Sequence, residues 1–263
     1  LVGVVNAEMG RRGPEELEAL AAQAVISRTV AARAIDRSPQ RGFDLLATVA
    51  DQAYLGVAAE LPQGADAVAA TRGIALTSGG VPIDAFFHST CGGRTADPTE
   101  IFAGAGGRGY LRSVGDQGPD GRDYCAISPR YRWQESWTGS ALTATLRETL
   151  RRPALGTVST VEVAARGATG RVMAITVRHA GGRESVEGAN PVRQVLRPPG
   201  GGLLRSSHFD LRSAAGGLVA EGRGAGHGVG LCQWGAVGRA RAGAGWAEIL
   251  AAYFPGAELA RLY

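Results

Sequence analysis

The first 35 residues carry apolar side chains at helical spacing, and this periodicity restricts the fold more strongly than any other feature of the sequence. Leu1, Val4, Val5 and Glu8 lie at positions i, i+3, i+4 and i+7 and therefore share one face of a helix. Because the rest of that face is apolar, the carboxyl group of Glu8 is expected at the edge of a hydrophobic core. Such a position raises the pKa of a carboxyl group.

A second helix is expected over about 14–35, with Pro14 in its first turn. Arg28 falls on the apolar face of this helix. A buried guanidinium is expensive unless it pairs with an anion, so we expect Arg28 to pair with Glu8 or with a bound ligand. The apolar positions of this face are Leu17, Leu20, Ala21, Ala24 and Val25.

Further along the chain, the pattern changes from helical spacing to alternation. Residues 66–90 indicate a helix end, a strand, a turn at "SGG" and a second strand. Residues 155–190 indicate two or three antiparallel strands, with turns at Gly167–Gly170 and Gly181–Gly182. A helix near 140–150 precedes them.

The C-terminal segment returns to helical spacing, with one apolar face formed by Trp246, Ile249, Leu250 and Tyr253 and a stop at Pro255. Residues 191–213 are expected to be irregular. We therefore expect an α+β fold. It would be a single mixed domain, residues 1–263, with N-terminal helices, antiparallel strands and a C-terminal helical segment. Residues of about 155–190 would form a strand-rich lobe within it.

Composition excludes several classes of protein. Of 263 residues, 44% are hydrophobic, which suits a globular core, and no apolar run approaches the roughly 20 residues that span a bilayer. All 28 basic residues are arginine, so no lysine ammonium is available as a nucleophile. The net charge of +4 is small and spread along the chain, which argues against nucleic acid as a partner. It is compatible with an acidic polymer such as cell wall.

Nine stretches, in the same order along nearly the whole chain, resemble the SpoIID/LytB family of bacterial cell-wall proteins. They are "GVVNAEM", "EALAAQAVISRTVA", "DQAY", "AFFHSTCGGRT", "YLRSV", "GRVMAITV", "LLRSSHFDL", "GHGVGLCQWGA" and "EILAAYFPGAEL". The resemblance implies lytic transglycosylase activity on peptidoglycan glycan strands that an amidase has already stripped of stem peptides. It also implies a location in the cell envelope, the periplasm or outside the cell. The sequence opens in mid-pattern at Leu1, as expected of a trimmed segment without its export signal.

In this resemblance the family's glutamate falls on Glu8, and the arginine of its "QA…ART" pattern falls on Arg28. Cleavage of a glycosidic bond needs a proton donor, and a carboxyl group on an apolar face suits that role. In a lytic transglycosylase the sugar's own 6-hydroxyl attacks, so one carboxyl group suffices. We therefore predict Glu8 and Arg28 as catalytic residues. The alternative is that they form a buried salt bridge with no chemistry.

The three cysteines and one histidine make a complete set of zinc ligands. His88 and Cys91 lie three residues apart in "HSTC", and Cys125 and Cys232 lie in "DYC" and "GLCQ". Some family members bind zinc through the histidine of the "HS" motif, and this sequence has cysteine where the family's "HSSSGG" and "GMSQWGA" forms have serine. We expect a structural zinc ion. The alternatives are a Cys91–Cys125 disulfide with Cys232 free, and three reduced, buried cysteines.

The segment "GHGVGLCQWGA" places His227 between two glycines, which leaves its ring accessible. We expect His227 to line a glycan groove, with further substrate contacts from Gln233, Ser89 and Thr90. Alternatively, His227 replaces His88 as a zinc ligand. A phosphate-binding loop is rejected, because no strand precedes "GAGHGVG" and no acidic residue follows at the required distance.

Two other functions are compatible with the sequence. A LytB-like chain would bind glycan without cleaving it and would enhance a cell-wall amidase, so that Glu8 would be dispensable. A zinc-stabilised scaffold for a larger envelope complex would keep the groove without activity. Formation of 1,6-anhydro-muramic ends from peptide-free glycan separates the enzyme from both.

Overall fold

A computed structural model of the chain describes residues 1–35, 39–48, 50–214 and 216–263. Its N-terminal part is helical, as the periodicity predicts: α1 spans Val2–Met9, α2 spans Leu17–Ala34 and α3 spans Pro62–Ala70. α1 ends at Gly10, whose φ of 69° lies in the left-handed region that favours glycine. A short 3₁₀ turn at Pro14–Glu16 then leads into α2.

α2 is the central helix of the N-terminal core. Every residue from 19 to 29 is buried, so α2 contacts other elements around its whole circumference. The single apolar face that the sequence predicts is therefore too narrow. Leu17, which the pattern assigns to that face, is 36% exposed, whereas Gln23 and Ser27 are fully buried.

Three short strands and a helical turn follow: β1 (Ile74–Ser78), β2 (Val81–Pro82), β3 (Phe87–His88) and α4 (Pro98–Ile101). β1 and β2 are antiparallel, with Ser78 opposite Val81. Gly79 and Gly80 both have positive φ at the turn, a conformation that favours glycine in two-residue hairpins. This arrangement agrees with the strand, turn and strand that the sequence predicts.

The next part contains two three-stranded antiparallel sheets and two helices. In chain order these are β4 (Arg132–Thr138), α5 (Gly139–Thr149), β5 (Val158–Arg166), β6 (Val172–His179), β7 (Gly182–Glu187), α6 (Ala189–Val195), β8 (Phe209–Ala214) and β9 (Gly217–Arg223). The strand orders are β4–β9–β8 and β5–β6–β7. These elements enclose a second hydrophobic cluster that reaches from Trp137 to Ala220. The lobe predicted for about 155–190 lies within this larger cluster.

The C-terminal segment returns to the N-terminal core through β10 (Leu231–Cys232), α7 (Gln233–Arg241), α8 (Trp246–Tyr253) and β11 (Glu258–Arg261). β10 pairs in parallel with β3, which sets Cys232 opposite His88. β11 pairs antiparallel with β1. Both ends of the chain thus contribute to one core, in which Tyr253 and Phe254 are fully buried.

The α+β class is confirmed, one local prediction is wrong and one strand is not predicted. Residues 191–213 contain most of α6 and the start of β8 instead of irregular chain, because Val192 and Phe209 pack into the second cluster. β11 follows Pro255, where the pattern predicts only the end of a helix. Among the residues that the structure describes, no helix is both long enough and apolar enough to cross a membrane.

Candidate active site and thiol cluster

A cleft of about 870 Å³ opens beside α1, β3 and the start of α7. Its volume lies in the range that accommodates small ligands and sugar units. Carboxylates, guanidinium groups, imidazoles and aromatic rings all contribute to its walls. The lining includes Glu8, His88, Ser89, His227, Gln233 and Trp234, which come from three separate sequence motifs.

Glu8 is the penultimate residue of α1 and is half-buried in the cleft wall. The backbone N–H of Ala53 donates to Glu8 Oε1 at 2.7 Å. Burial raises the pKa of Glu8 above its ordinary value of 4.5, although hydrogen bonds from Ala53 and Gln233 oppose the shift. Within the described ranges, no arginine forms an ion pair with Glu8. The carboxyl group therefore retains its proton at higher pH than a solvated one.

His88 and His227 lie beside each other in the cleft wall, with ring centroids 5.6 Å apart. The N–H of Val229 donates to His227 Nδ1 at 3.0 Å, and the carbonyl of Val229 accepts from His88 Nδ1 at 3.1 Å. His88 therefore carries its proton on Nδ1. Its Nε2 is a buried acceptor without a hydrogen-bond partner among the described residues. Burial lowers the pKa of both rings, to about 4 for His227, so both are neutral at pH 7.

Glycine on each side of His227 is required by close packing. Gly226 and Gly228 have φ values of 100° and 89°. A Cβ on Gly226 would lie 2.9 Å from His88 Cβ, and one on Gly228 would lie 2.6 Å from Arg171 Nη2. These glycines therefore allow the His227 loop to lie directly against the His88 strand.

Arg28 lies away from the cleft lining, and the predicted pair with Glu8 is wrong. Its guanidinium donates to the carbonyl oxygens of Ile74 at 2.8 Å and Val68 at 3.3 Å, and to the hydroxyl of Tyr263 at 3.3 Å. The residue is only 3% exposed. Carbonyl and hydroxyl oxygens thus stabilise the buried charge, and Arg28 ties α2 to α3, β1 and the C-terminus.

The predicted substrate contacts are divided between the cleft and the core. Ser89 and Gln233 line the cleft, and Gln233 Nε2 lies 3.5 Å from the backbone oxygen of Glu8. Thr90 is only 2% exposed, and its hydroxyl is 2.7 Å from the hydroxyl of Ser128. Thr90 therefore supports the wall from behind and is not available to a ligand in the cleft.

A buried cluster of thiol groups adjoins the cleft, since Cys232 immediately precedes Gln233. The Sγ atoms of Cys91, Cys125 and Cys232 lie within 4.8 Å of one another and of a carboxylate oxygen of Asp116. The Sγ atoms of Cys91 and Cys125 are 3.5 Å apart, and all three cysteines are free thiols. Three thiol groups and one carboxyl group form a set of donors that can bind a metal ion.

Asp116, rather than His88, completes this cluster, which corrects the ligand set expected from the sequence. Asp116 is fully buried, and its Oδ1 accepts a 2.5 Å hydrogen bond from the Tyr253 hydroxyl. Its Oδ2 accepts from the backbone N–H of Cys125 at 3.0 Å. His227, the substitute ligand, also lies outside the cluster.

The pKa values of the three thiols and the carboxyl group in the cluster differ. Hydrogen bonds from Cys232 and Cys91 lower the pKa of the Cys125 thiol to about 2. Burial raises the pKa values of Cys91 and Cys232, and raises that of Asp116 to about 7. The Cys125 sulfur is therefore the first of the three to carry negative charge, which is the form that binds metals.

An arginine and two aromatic residues of the cleft are not predicted from the sequence. The Arg12 guanidinium lies over the ring of Trp234, 4.6 Å from its centroid. Phe86 and Phe102 stack with centroids 4.7 Å apart, and the Phe102 ring lies 5.3 Å from that of His227. Phe86 stands in the quoted motif "AFFHST", but only the pairing of β3 with β10 places it beside His227.

Comparison with known proteins identifies the relatives of the chain. Residues 1–78 match the SpoIID family, described as stage II sporulation protein, and residues 119–230 match a domain of unknown function, DUF8618. Over 98% of its length, the chain is 29% identical to stage II sporulation protein D of Bacillus amyloliquefaciens and 28% identical to that of Bacillus subtilis. It covers 72% and 73% of those two proteins. Residues 1–78 of the chain are thus similar to the SpoIID family.

Another relative of the chain is an uncharacterized protein of Brachyspira hyodysenteriae, which is 28% identical over 98% of the chain. The chain spans only 64% of that protein. The SpoIID match over residues 1–78 contains Glu8 and α2, whereas the DUF8618 match contains Cys125 and His227. The likeness to the SpoIID family and to these sporulation proteins supports a cell-wall-related role.

Proposed function

We propose that this chain is a peptidoglycan lytic transglycosylase. It would cleave glycan strands that lack stem peptides and leave 1,6-anhydro-muramic ends. The observation that carries the proposal is the position of Glu8, a half-buried carboxyl group with a raised pKa in the wall of a large cleft. A carboxyl group of this kind remains protonated closer to neutral pH, as a general acid requires.

The other carboxyl groups of the cleft are less suited to donate a proton. Asp84 forms ion pairs with Arg33 at 3.0 Å and with Arg108 at 3.1 Å, so both of its oxygens are already engaged. Asp51 is exposed and accepts a hydrogen bond from the backbone N–H of Leu46 at 2.7 Å. Glu8 is therefore our candidate for the catalytic residue.

In the proposed reaction, Glu8 donates its proton to the oxygen of the bond between muramic acid and the next sugar. The bond from C1 to that oxygen breaks, and the leaving sugar departs with the proton. The 6-hydroxyl of the same muramic acid attacks C1 and closes the anhydro ring, while the Glu8 carboxylate takes the hydroxyl proton. Glu8 ends as it began, no water is consumed, and a second carboxylate is not needed.

Neutral polar groups and aromatic rings would hold the glycan in place. His88 lines the wall, although its Nε2, an acceptor without a partner among the described residues, is buried. Ser89, His227 and Gln233 supply further hydrogen-bonding groups. The ring of Trp234 offers an apolar surface for a sugar face.

We also propose that Cys91, Cys125, Cys232 and Asp116 hold a zinc ion. Support comes from the donor types, from their complete burial and from their separation of at most 4.8 Å. With four protein ligands, such an ion has no open position and would serve as a structural cross-link. It would join the chain after β3, the 3₁₀ turn at residues 124–127 and the start of α7, and so fix the cleft wall.

The substrate class implies a partner and a location. Peptide-free strands are produced by a cell-wall amidase, so such an amidase would act before this chain. Both proteins would then work in the cell envelope or outside the cell. The modest net charge of +4 is compatible with a negatively charged glycan.

Digestion of peptide-free peptidoglycan in H₂¹⁸O tests the reaction. Mass spectrometry should find 1,6-anhydro-muramic ends without ¹⁸O, because no water enters the product. Reducing ends that contain ¹⁸O would indicate a hydrolase instead. Intact glycan, together with faster cleavage by an added amidase, would favour the non-catalytic enhancer.

A further inference from the structure

Arg12 is a buried cation in the cleft wall that the proposed reaction does not use. It lies in the loop after α1, and its side chain is only 13% exposed. One face of its guanidinium lies over Trp234. The carboxylate of Glu16 is 3.9 Å from Arg12 Nη1, which is too far for a hydrogen bond.

The carboxylate of Glu16 is already engaged by other donors. Arg241 donates to Glu16 Oε1 from Nη2 at 2.6 Å and from Nε at 2.9 Å. The backbone N–H of Gly13 donates to Glu16 Oε2 at 3.1 Å. Two guanidinium groups therefore share one carboxylate, and Arg12 is the weakly paired member.

Arg12 is also incompletely hydrogen-bonded. Its Nε is buried and has no partner in the described part of the chain. Burial lowers the pKa of Arg12, which shows that its charge is poorly solvated where it stands. An anion in the cleft would accept hydrogen bonds from the terminal nitrogens of the guanidinium and offset the cost of this burial.

The other cleft arginines differ from Arg12 in their surroundings. Arg33 donates to both oxygens of Asp84, at 3.0 Å and 3.5 Å, so its guanidinium has direct acceptors even though Asp84 also pairs with Arg108. Arg130 is exposed, and water solvates its charge at little cost. Arg12 is therefore the cleft guanidinium for which a bound anion makes the largest difference.

We propose that Arg12, held flat by Trp234, binds the lactyl carboxylate of muramic acid and so makes the cleft selective for peptide-free strands. The inference rests on the proposed function for its choice of glycan. An amidase breaks the bond between the lactyl carbonyl and the stem peptide, which leaves a carboxylate on each muramic acid that it strips. A strand that keeps its peptides has a neutral amide there. Guanidinium groups bind carboxylates through paired, charge-assisted hydrogen bonds that an amide cannot match.

Equilibrium binding to two forms of one glycan tests the proposal. The proteins carry Glu8→Gln, so that bound glycan is not consumed, and the ligands are peptide-free oligosaccharides with free or methyl-amidated lactyl groups. We expect the free-carboxylate form to bind about tenfold more tightly to the protein with Arg12 intact. Arg12→Gln and Arg12→Met should bind the two forms equally. Arg33→Gln is the matched control and should retain the preference.

A preference that survives both Arg12 variants would overturn the inference, as would its loss in Arg130→Gln alone. Equal binding of the two glycans by the protein with Arg12 intact would also overturn it. The catalytic proposal is judged separately by the products of the protein with Glu8 intact. Absence of anhydro ends with the carboxylate preference present refutes the catalytic proposal and leaves the binding site supported.

Discussion

The backbone N–H of Ala53 donates to Glu8 Oε1 at 2.7 Å, which occupies one oxygen of the carboxyl group. This hydrogen bond favours Oε2 as the oxygen that carries the proton when Glu8 is protonated. The same hydrogen bond lowers the pKa of Glu8, yet burial is the larger effect and the net pKa is raised. The loop that contains Ala53 thus fixes the orientation of the carboxyl group without removing its acidity.

The pH dependence of activity should reflect this balance. Glu8 acts as an acid, so the protonated form is active and kcat/KM should fall as pH rises through its pKa. The midpoint of the fall should lie above 4.5, the ordinary value for a glutamate. Ala53→Pro removes the N–H donor and should move the midpoint to higher pH. A midpoint at or below 4.5 in the unaltered protein would show that burial does not control Glu8.

Arg28→Met should destabilise the fold and leave the chemistry intact. The variant loses the charge-assisted hydrogen bonds that the buried guanidinium donates to the partly buried carbonyl oxygens of Ile74 and Val68. We expect the free energy of unfolding in urea to fall by about 2–4 kcal/mol. Arg33→Met is the matched control on the same helix, and loss of its partly exposed ion pair should cost less than about 1 kcal/mol.

The Arg28 assignment also has a kinetic test. Folded Arg28→Met should cleave glycan at the rate of the unaltered protein. A strong loss of kcat at unchanged stability would instead support the catalytic role of Arg28 that the sequence predicts.

Removal of a thiol should release the metal and lower stability together. Purified protein should contain about one zinc ion per chain, with zinc–sulfur distances of about 2.3 Å by X-ray absorption. Cys232→Ser and Asp116→Asn should reduce the zinc content and the melting temperature in parallel, since binding energy at such a site contributes to folding. His88→Gln should retain the zinc, because His88 lies outside the cluster.

Two results would contradict the zinc assignment. One is metal-free protein that melts at the same temperature as the purified protein. The other is a mass two hydrogens lower than expected, which would show a Cys91–Cys125 disulfide.

The sequence predicts those helices and strands that are determined by nearby residues, through side-chain spacing or through glycine turns. Helical spacing predicts α1, α2 and α8, and glycine turns predict β5, β6 and β7. β11 escapes prediction because its stability comes from pairing with β1, about 180 residues away in the chain. α6 and β8 are not predicted for a similar reason, because their apolar residues are buried only when the second hydrophobic cluster forms.

The residues of the candidate site also divide into those that local motifs predict and those that only folding brings together. Glu8 and the three cysteines are recognisable from their motifs. Asp116 is not, because it lies in a glycine-rich stretch without periodicity and reaches the thiols only through folding. His88 stands three residues from Cys91 and looks like a ligand, but its Nδ1 is bound to Val229 and its ring lines the cleft.

The most direct measurement of the central claim is the rate at which peptide-free glycan gains 1,6-anhydro-muramic ends. Glu8→Gln keeps the size of the side chain and removes the proton, so the rate should fall by about a hundredfold or more. Glu15→Gln, an exposed glutamate in the following turn, should act like the unaltered protein. Anhydro ends formed by Glu8→Gln at the unaltered rate would contradict the account.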